Sequence, residues 1–197
     1  MKKSYRIAIA DDDHDIRKIL HTHLNRAGHE VIVEASSGQE LLEQCTANNV
    51  ESVDLVIVEA KMKGISGLEA AAKIHEIRNV PFIVVSGFWD DDLISEAVTC
   101  RAFAYLQKPI RPNELEAAIQ IAVQRFEEMQ SCKEGAASMR QALEDRKIIE
   151  RAKGILMRER NLDEPSSFMY LQQLARRHRQ KMVEVAKSIN LAEQALC

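Results

Sequence analysis

The sequence predicts an α/β protein, with a doubly wound five-stranded parallel sheet followed by a helical coiled-coil linker and a small three-helix bundle. Short apolar runs alternate with helical patterns over the first 110 residues, which is typical of buried parallel strands joined by crossover helices. Each of four apolar runs also ends abruptly in a polar side chain. After residue 113 no strand pattern remains and the periodicity is helical. A chain of 197 residues can hold one domain and a smaller second one.

The predicted strands and helices alternate strictly. The strands are expected near residues 5–10, 30–34, 53–59, 81–86 and 103–107. The helices between them are expected near residues 14–27, 38–48, 67–77 and 91–100. Crossovers between parallel strands are right-handed, so this order predicts a sheet covered by helices. Asp90, Asp91 and Asp92 lie where the fourth helix begins, and carboxylates there complement the helix dipole better than they suit a catalytic role.

The polar side chains that end the strands form a candidate site. Asp11 and Asp12 follow the first strand, and Glu59 ends the third. Ser86 ends the fourth strand and Lys108 follows the fifth. Because ligands of an open parallel sheet bind at the carboxyl ends of its strands, we expect these side chains to converge on one crevice. Their chemistry suits a metal ion and a phosphoryl group.

This order and spacing resembles the receiver domain of bacterial response regulators, over about residues 4–130. The resemblance implies a crevice that binds Mg²⁺ and accepts a phosphoryl group from a sensor histidine kinase. The metal-binding acid pair, the phosphate-binding hydroxyl, the phosphate-binding lysine and the switch aromatic would be Asp11 and Asp12, Ser86, Lys108 and Tyr105.

Glu59 departs from the family, because it stands at the position of the phospho-accepting aspartate. Its carboxylate lies one methylene, about 1.5 Å, further from the backbone. A displacement of roughly 1 Å can slow a reaction about 10²-fold, so poor or absent phosphorylation is expected. Three alternatives stay open: Glu59 imitates the phosphorylated state by approaching Lys108 and Ser86, the domain is a fixed dimerisation module, or weak phosphorylation survives. Lys63 replaces the family's usual proline and adds a cation, so Mg²⁺ occupancy also stays open.

Charge is distributed unevenly along the chain. The net charge is −3, but residues 136–197 carry +4 and residues 1–135 carry −7. A polyanionic partner would therefore bind the tail, although +4 also fits an ordinary solvated helix surface. No apolar stretch is long enough to cross a membrane. The four scattered cysteines have no metal-ligand spacing and are expected to be reduced thiols, which predicts a cytoplasmic protein without membrane attachment.

A heptad-like pattern begins after the last predicted strand. Its apolar positions are Leu115, Ile119, Ala122, Phe126, Met129, Cys132, Ala136, Met139 and Leu143. A helix that packs only on its own sheet explains the pattern to about Phe126, and a helix projecting further needs a partner. We therefore predict a parallel homodimer through a coiled coil, with Gly135 weakening or breaking the helix. The predicted division is a receiver at 4–112, a linker at 113–137 and a helical domain at 138–192.

The tail contains a second family resemblance. Helices are expected to Arg160, at about 164–177 and at about 181–190. The segment 142–157 ends in Ala-Lys-Gly-Ile-Leu-Met and resembles the first helix of an ANTAR domain, with the resemblance extending over about residues 138–192. ANTAR domains are RNA-binding antiterminators that act as dimers on paired stem–loops in a nascent transcript. The resemblance therefore implies stem–loop RNA as the partner.

Gly154 is the centre of the predicted RNA-binding surface. Glycine inside a helix costs about 1 kcal/mol relative to alanine, and close approach of a partner's backbone or base would explain it. Close helix packing within the chain is the alternative explanation. Ala152 also has a small side chain, so this face of the helix carries no bulky group at that position. The basic residues expected to hold phosphates are Arg151, Lys153, Arg158, Arg176, Arg177 and Lys181.

Several functions remain compatible with these patterns. The first is a response regulator that controls an RNA-binding antiterminator, with duplex DNA as a lesser variant of the target. The second is a protein-interaction adaptor whose tail binds another signalling protein. A phosphate-ester hydrolase ranks last, since no separate pair of nucleophile and base is visible. We therefore expect a regulator and not an enzyme.

Overall fold

The computed structural model describes residues 3–47, 52–87 and 91–196. Its elements, in chain order, are β1 (Arg6–Ala10), α1 (His14–Ala27), β2 (Glu30–Ala35), α2 (Gly38–Thr46), β3 (Leu55–Glu59), α3 (Gly67–Arg78), β4 (Phe82–Ser86), α4 (Asp91–Thr99), β5 (Ala104–Gln107), α5 (Pro112–Arg160), α6 (Glu164–His178) and α7 (Met182–Leu196). The chain divides into two compact units between Met129 and Gln130. None of the helices among the described residues is long and apolar enough to span a membrane.

The five strands form one parallel sheet in the order β2-β1-β3-β4-β5. Every residue of β3 and β4 is buried, as expected for strands that are covered by helices on both faces. The predicted doubly wound sheet is therefore confirmed. The order reverses between β1 and β3, and in such sheets the ligand crevice opens at that point.

Side-chain caps fix where the helices of the sheet domain begin. Asp13 accepts a hydrogen bond from the backbone N–H of Asp15 at 2.8 Å and caps α1. Ser37 and Ser66 cap α2 and α3 in the same way. Two of the three acidic residues predicted at the fourth helix lie in the first turn of α4, and Asp90 lies outside the described residues.

Two apolar clusters cover the two faces of the sheet. One contains residues of α2, α3 and α4, including Leu41, Leu68 and Leu93. The other contains residues of α1 and of the beginning of α5, including Leu24 and Ile119. The first turns of α5 therefore belong to the core of the sheet domain.

The predicted dimer seam is wrong over its first half. Leu115, Ile119 and Ala122 are buried in the core of their own sheet domain. The ring of Phe126 packs against that of Phe103, with 5.6 Å between the centroids. Of the remaining apolar positions, Met129 is partly buried. The others, Cys132, Ala136, Met139 and Leu143, lie in residues 131–144, all of which are exposed. The helix also continues through Gly135 without the predicted break.

The second unit is a three-helix arrangement of the end of α5 with α6 and α7. Its core contains Ala152, Leu156, Leu171, Ala175, Val185 and Ala186. Asp163 caps α6 by accepting a hydrogen bond from the backbone N–H of Ser166 at 2.9 Å. Helix α7 extends beyond the predicted end near residue 190, to Leu196.

Candidate functional site

Four of the side chains predicted to share a crevice lie at the carboxyl ends of the strands: Asp11, Glu59, Ser86 and Lys108. Asp11 and Ser86 are fully buried, and Glu59 is 7% exposed. The strand order explains this convergence, because β1, β3 and β4 are direct neighbours and end at the same edge of the sheet. The backbone N–H of Lys108 also donates to the carbonyl oxygen of Ser86 at 2.8 Å.

The Lys108 ammonium bridges the two buried carboxylates. Its Nζ lies 2.6 Å from Oδ2 of Asp11 and 2.6 Å from Oε2 of Glu59. Charge-assisted hydrogen bonds of this length are among the stronger ones in proteins. The sequence predicted that these residues share one crevice. In the structure Glu59 also pairs directly with the lysine.

Burial and ion pairing shift the pKa values of the crevice residues in opposite directions. Burial acts to lower the pKa of Lys108, but its hydrogen bonds with Asp11 and Glu59 outweigh burial and hold the pKa above its usual value. Burial raises the pKa of Asp11, against hydrogen bonds from Lys108 and from the backbone N–H of Asp13. Lys108 therefore remains a cation at neutral pH.

Asp11, Asp12 and Glu59 would supply the carboxylate oxygens for the Mg²⁺ implied by the receiver resemblance. The ammonium of Lys108 lies between the two buried carboxylates that would face a cation. Asp12, the second residue of the predicted acid pair, is exposed. Over the described ranges, no group of three His, Cys, Asp or Glu residues is arranged to hold a metal ion. The positive charge of the crevice comes from the chain itself.

Tyr105, the predicted switch aromatic, lies on β5. It is partly buried and packs against the apolar cluster that contains α2, α3 and α4. Lys63, the other departure from the family pattern, is exposed.

Gly67 fixes the backbone around Glu59. It is the first residue of α3, and its N–H donates to the carbonyl oxygen of Ala60 at 3.1 Å. A Cβ added at Gly67 would overlap the carbonyl oxygen of Glu59 and the side chain of Val58. The beginning of α3 can therefore lie against the end of β3 only because residue 67 lacks a side chain.

We expect Gly67→Ala to lower the free energy of unfolding of the sheet domain by about 1–3 kcal/mol, because the added methyl meets backbone that cannot rotate away. Urea titration followed by circular dichroism measures this. Gly135→Ala is the matched control, since an added Cβ there has nothing within 4 Å. It should stabilise the exposed helix by about 0.5–1 kcal/mol. Similar effects of the two substitutions would contradict the close approach at Gly67.

In the C-terminal unit, the two residues that precede Gly154 in the predicted RNA surface, Ala152 and Lys153, make contacts within the chain. Ala152 is fully buried in the core. Lys153 is buried, and its Nζ lies 2.9 Å from Glu150 and 2.8 Å from Glu164. Hydrogen bonds with Glu164 and Glu150 also raise the pKa of Lys153. This lysine ties α5 to the beginning of α6, a role that the sequence analysis missed.

The other predicted cations fall into two groups. Arg151 and Arg158 both contact Glu193 of α7, Arg151 at 3.9 Å. Arg176, Arg177 and Lys181 are exposed. Within the described part of the chain, these three form no ion pair. The predicted RNA-contacting cations without an ion pair among the described residues therefore lie around the turn between α6 and α7.

Gly154 has open space beside it. A Cβ added there would meet nothing within 4 Å. The alternative explanation for this glycine, close helix packing within the chain, is therefore not supported. The role of Gly154 in contacting a partner stays a prediction.

The strand order and the lysine-bridged carboxylates at the carboxyl edge of the sheet are those of a receiver domain. Comparison with known protein families agrees, since residues 7–120 match the response regulator receiver domain. Residues 137–189 match the ANTAR domain. This chain belongs to the response regulators that combine an N-terminal receiver domain with a C-terminal ANTAR domain.

Individual proteins are similar to all or part of this chain. The chain is 36% identical to transcriptional regulatory protein PdtaR of Mycobacterium tuberculosis over 93% of its own length and 88% of that protein. It is 33% identical to the uncharacterized transcriptional regulatory protein YrkP of Bacillus subtilis, over 66% of this chain and 54% of YrkP. A receiver domain structure from Clostridium thermocellum has a TM-score of 0.57 and 32% identity, covering 64% of this chain and 98% of that one.

Proposed function

We propose that this chain is a transcription antiterminator that binds stem–loop RNA as a dimer, and that its receiver is held in one state by Glu59 without phosphorylation. The ANTAR match at residues 137–189 carries the first part of this proposal, because ANTAR domains are RNA-binding antiterminators. The likeness to PdtaR supports it, since the similarity extends over 93% of the chain and so includes both domains and the segment between them.

The ion pair between Glu59 and Lys108 supports the second part. In receiver domains the acid pair binds Mg²⁺, and the lysine contacts the phosphorylated aspartate. Here the longer carboxylate of Glu59 reaches the Lys108 ammonium directly, at 2.6 Å. In this proposal the pair takes the place of the contact between the lysine and a phosphoryl group. A sensor histidine kinase is not required for this state, because no phosphoryl transfer precedes it.

The exposed stretch of α5 supports dimerisation. All of residues 131–144 are exposed, with Met139 at 73% and Leu143 at 59%. These side chains belong to the heptad-like pattern, so they lie on one face of the helix. A second copy of the same helix, in parallel orientation, would cover this face and bring two ANTAR domains together at one end.

Binding to RNA should be measurable by fluorescence anisotropy. We expect the full chain to bind a tandem pair of stem–loops more tightly than one stem–loop, a scrambled RNA or a DNA duplex, because a dimer engages both stem–loops at once. The affinity should fall steeply as salt rises, since cationic side chains release counterions from the phosphates. Equal binding to all four probes, or no binding, would contradict the proposal.

A protein-interaction adaptor is the second candidate function. Exposed apolar side chains on α6 favour it, because Phe168 is 41% and Met169 is 54% exposed. Such residues are common at protein interfaces. This candidate predicts that the chain binds none of the nucleic acids in the anisotropy experiment.

A further inference from the structure

A groove of about 320 Å³ opens between α6 and α7 in the C-terminal unit. Its size is at the lower end of the range for ligand pockets. Apolar side chains form its floor, and polar ones stand at its edge. The floor residues are Leu174, Val185 and Ile189, and the edge residues are His178, Gln180 and Ser188.

The edge of this groove is a rigid turn. Arg179 adopts the left-handed conformation, with φ of 54°. Its N–H donates to the carbonyl oxygen of Arg176 at 3.2 Å, and the N–H of Gln180 donates to that of Ala175 at 3.0 Å. Paired bonds of this kind close a helix and fix the chain that follows. The side chains of His178 and Gln180 are thus carried on a preformed backbone.

Cations surround this turn. Arg177, Arg179 and Lys181 alternate with His178 and Gln180 along the sequence and are all exposed. Among the described residues, none of the three forms an ion pair. The nearest acidic residue in sequence, Glu184, is paired with Lys187 at 2.9 Å. A polyanion can therefore approach this edge without breaking an existing ion pair, in contrast to the surface around Lys153.

We propose that the groove between α6 and α7 binds one unpaired base of an RNA loop, and that Arg177, Arg179 and Lys181 hold the phosphates beside it. This inference rests on the proposed function. Sequence-specific RNA recognition engages unstacked loop bases by stacking and by hydrogen bonds to their edges, while cations position the backbone. The apolar floor suits the face of a base, the His178 ring suits stacking, and the Gln180 amide can donate to and accept from a base edge. An apolar protein segment would suit the floor but not the cationic edge.

The test begins with RNA selected by the wild-type chain from a library of tandem stem–loops with randomised loops. Each loop nucleotide of the selected RNA is then replaced by an abasic one. We expect a single loop position to weaken binding by about tenfold, which is the scale of one stacked base. Ser188→Trp fills the groove, and it should weaken binding of the intact RNA by a similar factor and remove the abasic penalty.

Gln173→Trp is the matched control, because Gln173 is an exposed residue of α6 that does not line the groove. It should retain both the affinity and the abasic penalty. Photocrosslinking provides a second measurement on the wild type: 4-thiouridine at the sensitive loop position should attach to a peptide within residues 174–192. Attachment only within residues 151–158 would overturn the groove assignment.

The outcomes separate the two proposals. If the wild type selects RNA but Ser188→Trp keeps the full abasic penalty, the groove does not bind the base and the antiterminator function stands. If the wild type selects no RNA from the library, both proposals fail. Loss of the abasic penalty in Ser188→Trp alone, with unchanged helical content, supports the groove.

Discussion

Glu59→Asp should acquire a phosphoryl group from acetyl phosphate, whereas the wild-type chain should show no adduct. The reason is geometric. The wild-type carboxylate extends far enough to pair with Lys108 at 2.6 Å, so it is displaced from the position of an attacking aspartate by about one methylene, roughly 1.5 Å. Shortening the side chain returns the carboxylate to that position, and a correction near 1 Å can restore about 10²-fold in rate. Ser86 and Lys108, which would hold the transferred oxygens, are unchanged.

Intact-mass spectrometry after incubation with acetyl phosphate and Mg²⁺ measures the adduct. Glu59→Gln is the control, since an amide cannot attack the donor and is nearly isosteric with glutamate. A stoichiometric phosphoryl adduct on wild-type Glu59 would disprove the geometric argument. An unreactive Glu59→Asp would show instead that another departure, such as Lys63, also disables the crevice.

The same Glu59→Gln variant separates two remaining interpretations of the receiver. If Glu59 imitates phosphorylation through its charge, the neutral amide should weaken dimerisation and RNA binding, because Lys108 loses one of its two carboxylate partners. If the receiver is a fixed scaffold, both properties should persist. Sedimentation and anisotropy on the one protein decide between these interpretations.

The sheet domain was predictable because its signals are local. Runs such as Leu55 to Val58 are apolar on both faces, which only a doubly covered strand requires. The convergence of Asp11, Glu59 and Lys108 followed from the parallel order alone, since neighbouring parallel strands end at one edge. The family pattern then assigned a role to each side chain.

The path of α5 was less predictable because one apolar spacing serves two purposes. Side chains three and four residues apart face one direction whether they cover the chain's own sheet or a partner helix. Phe126 therefore looked like a seam residue, but its ring packs on Phe103. The helix does not break at Gly135, because the cost of glycine, about 1 kcal/mol, is small compared with the stabilisation from the many hydrogen bonds of a 49-residue helix.

The pairing of Lys153 was only partly predictable from the sequence. Glu150 lies three residues earlier on the same helix, so that contact was accessible to a helical projection. Glu164 lies on the next helix, and only the turn after Arg160 brings it within 2.8 Å of Lys153. Lys153 is thus paired with carboxylates and is not free to bind phosphates. Its contact with Glu164 cannot be read from the spacing of residues in the sequence.

Leu143→Asp should convert the full-length protein from dimer to monomer at micromolar concentration. Leu143 is 59% exposed in the single chain, so the substitution leaves the fold of each domain intact. In a coiled coil the same side chain would be buried against its counterpart, and two unpaired carboxylates would then face each other in an apolar seam. We expect the dissociation constant to rise by at least about 100-fold. Ser138→Asp adds the same charge outside the seam and should leave the dimer unchanged in light scattering.

Cys132 reports the orientation of that dimer. It is exposed and occupies a seam position of the same heptad-like pattern. In a parallel, in-register pair the two copies of Cys132 face each other, within the roughly 4.4–6.8 Å between Cα atoms that a disulfide allows. Mild oxidation should therefore crosslink the wild type, but neither Cys132→Ser nor Leu143→Asp.

A wild type that is dimeric by light scattering but does not crosslink would contradict the parallel arrangement. The two ANTAR domains would then not be held at the same end, and binding to paired stem–loops would need another explanation.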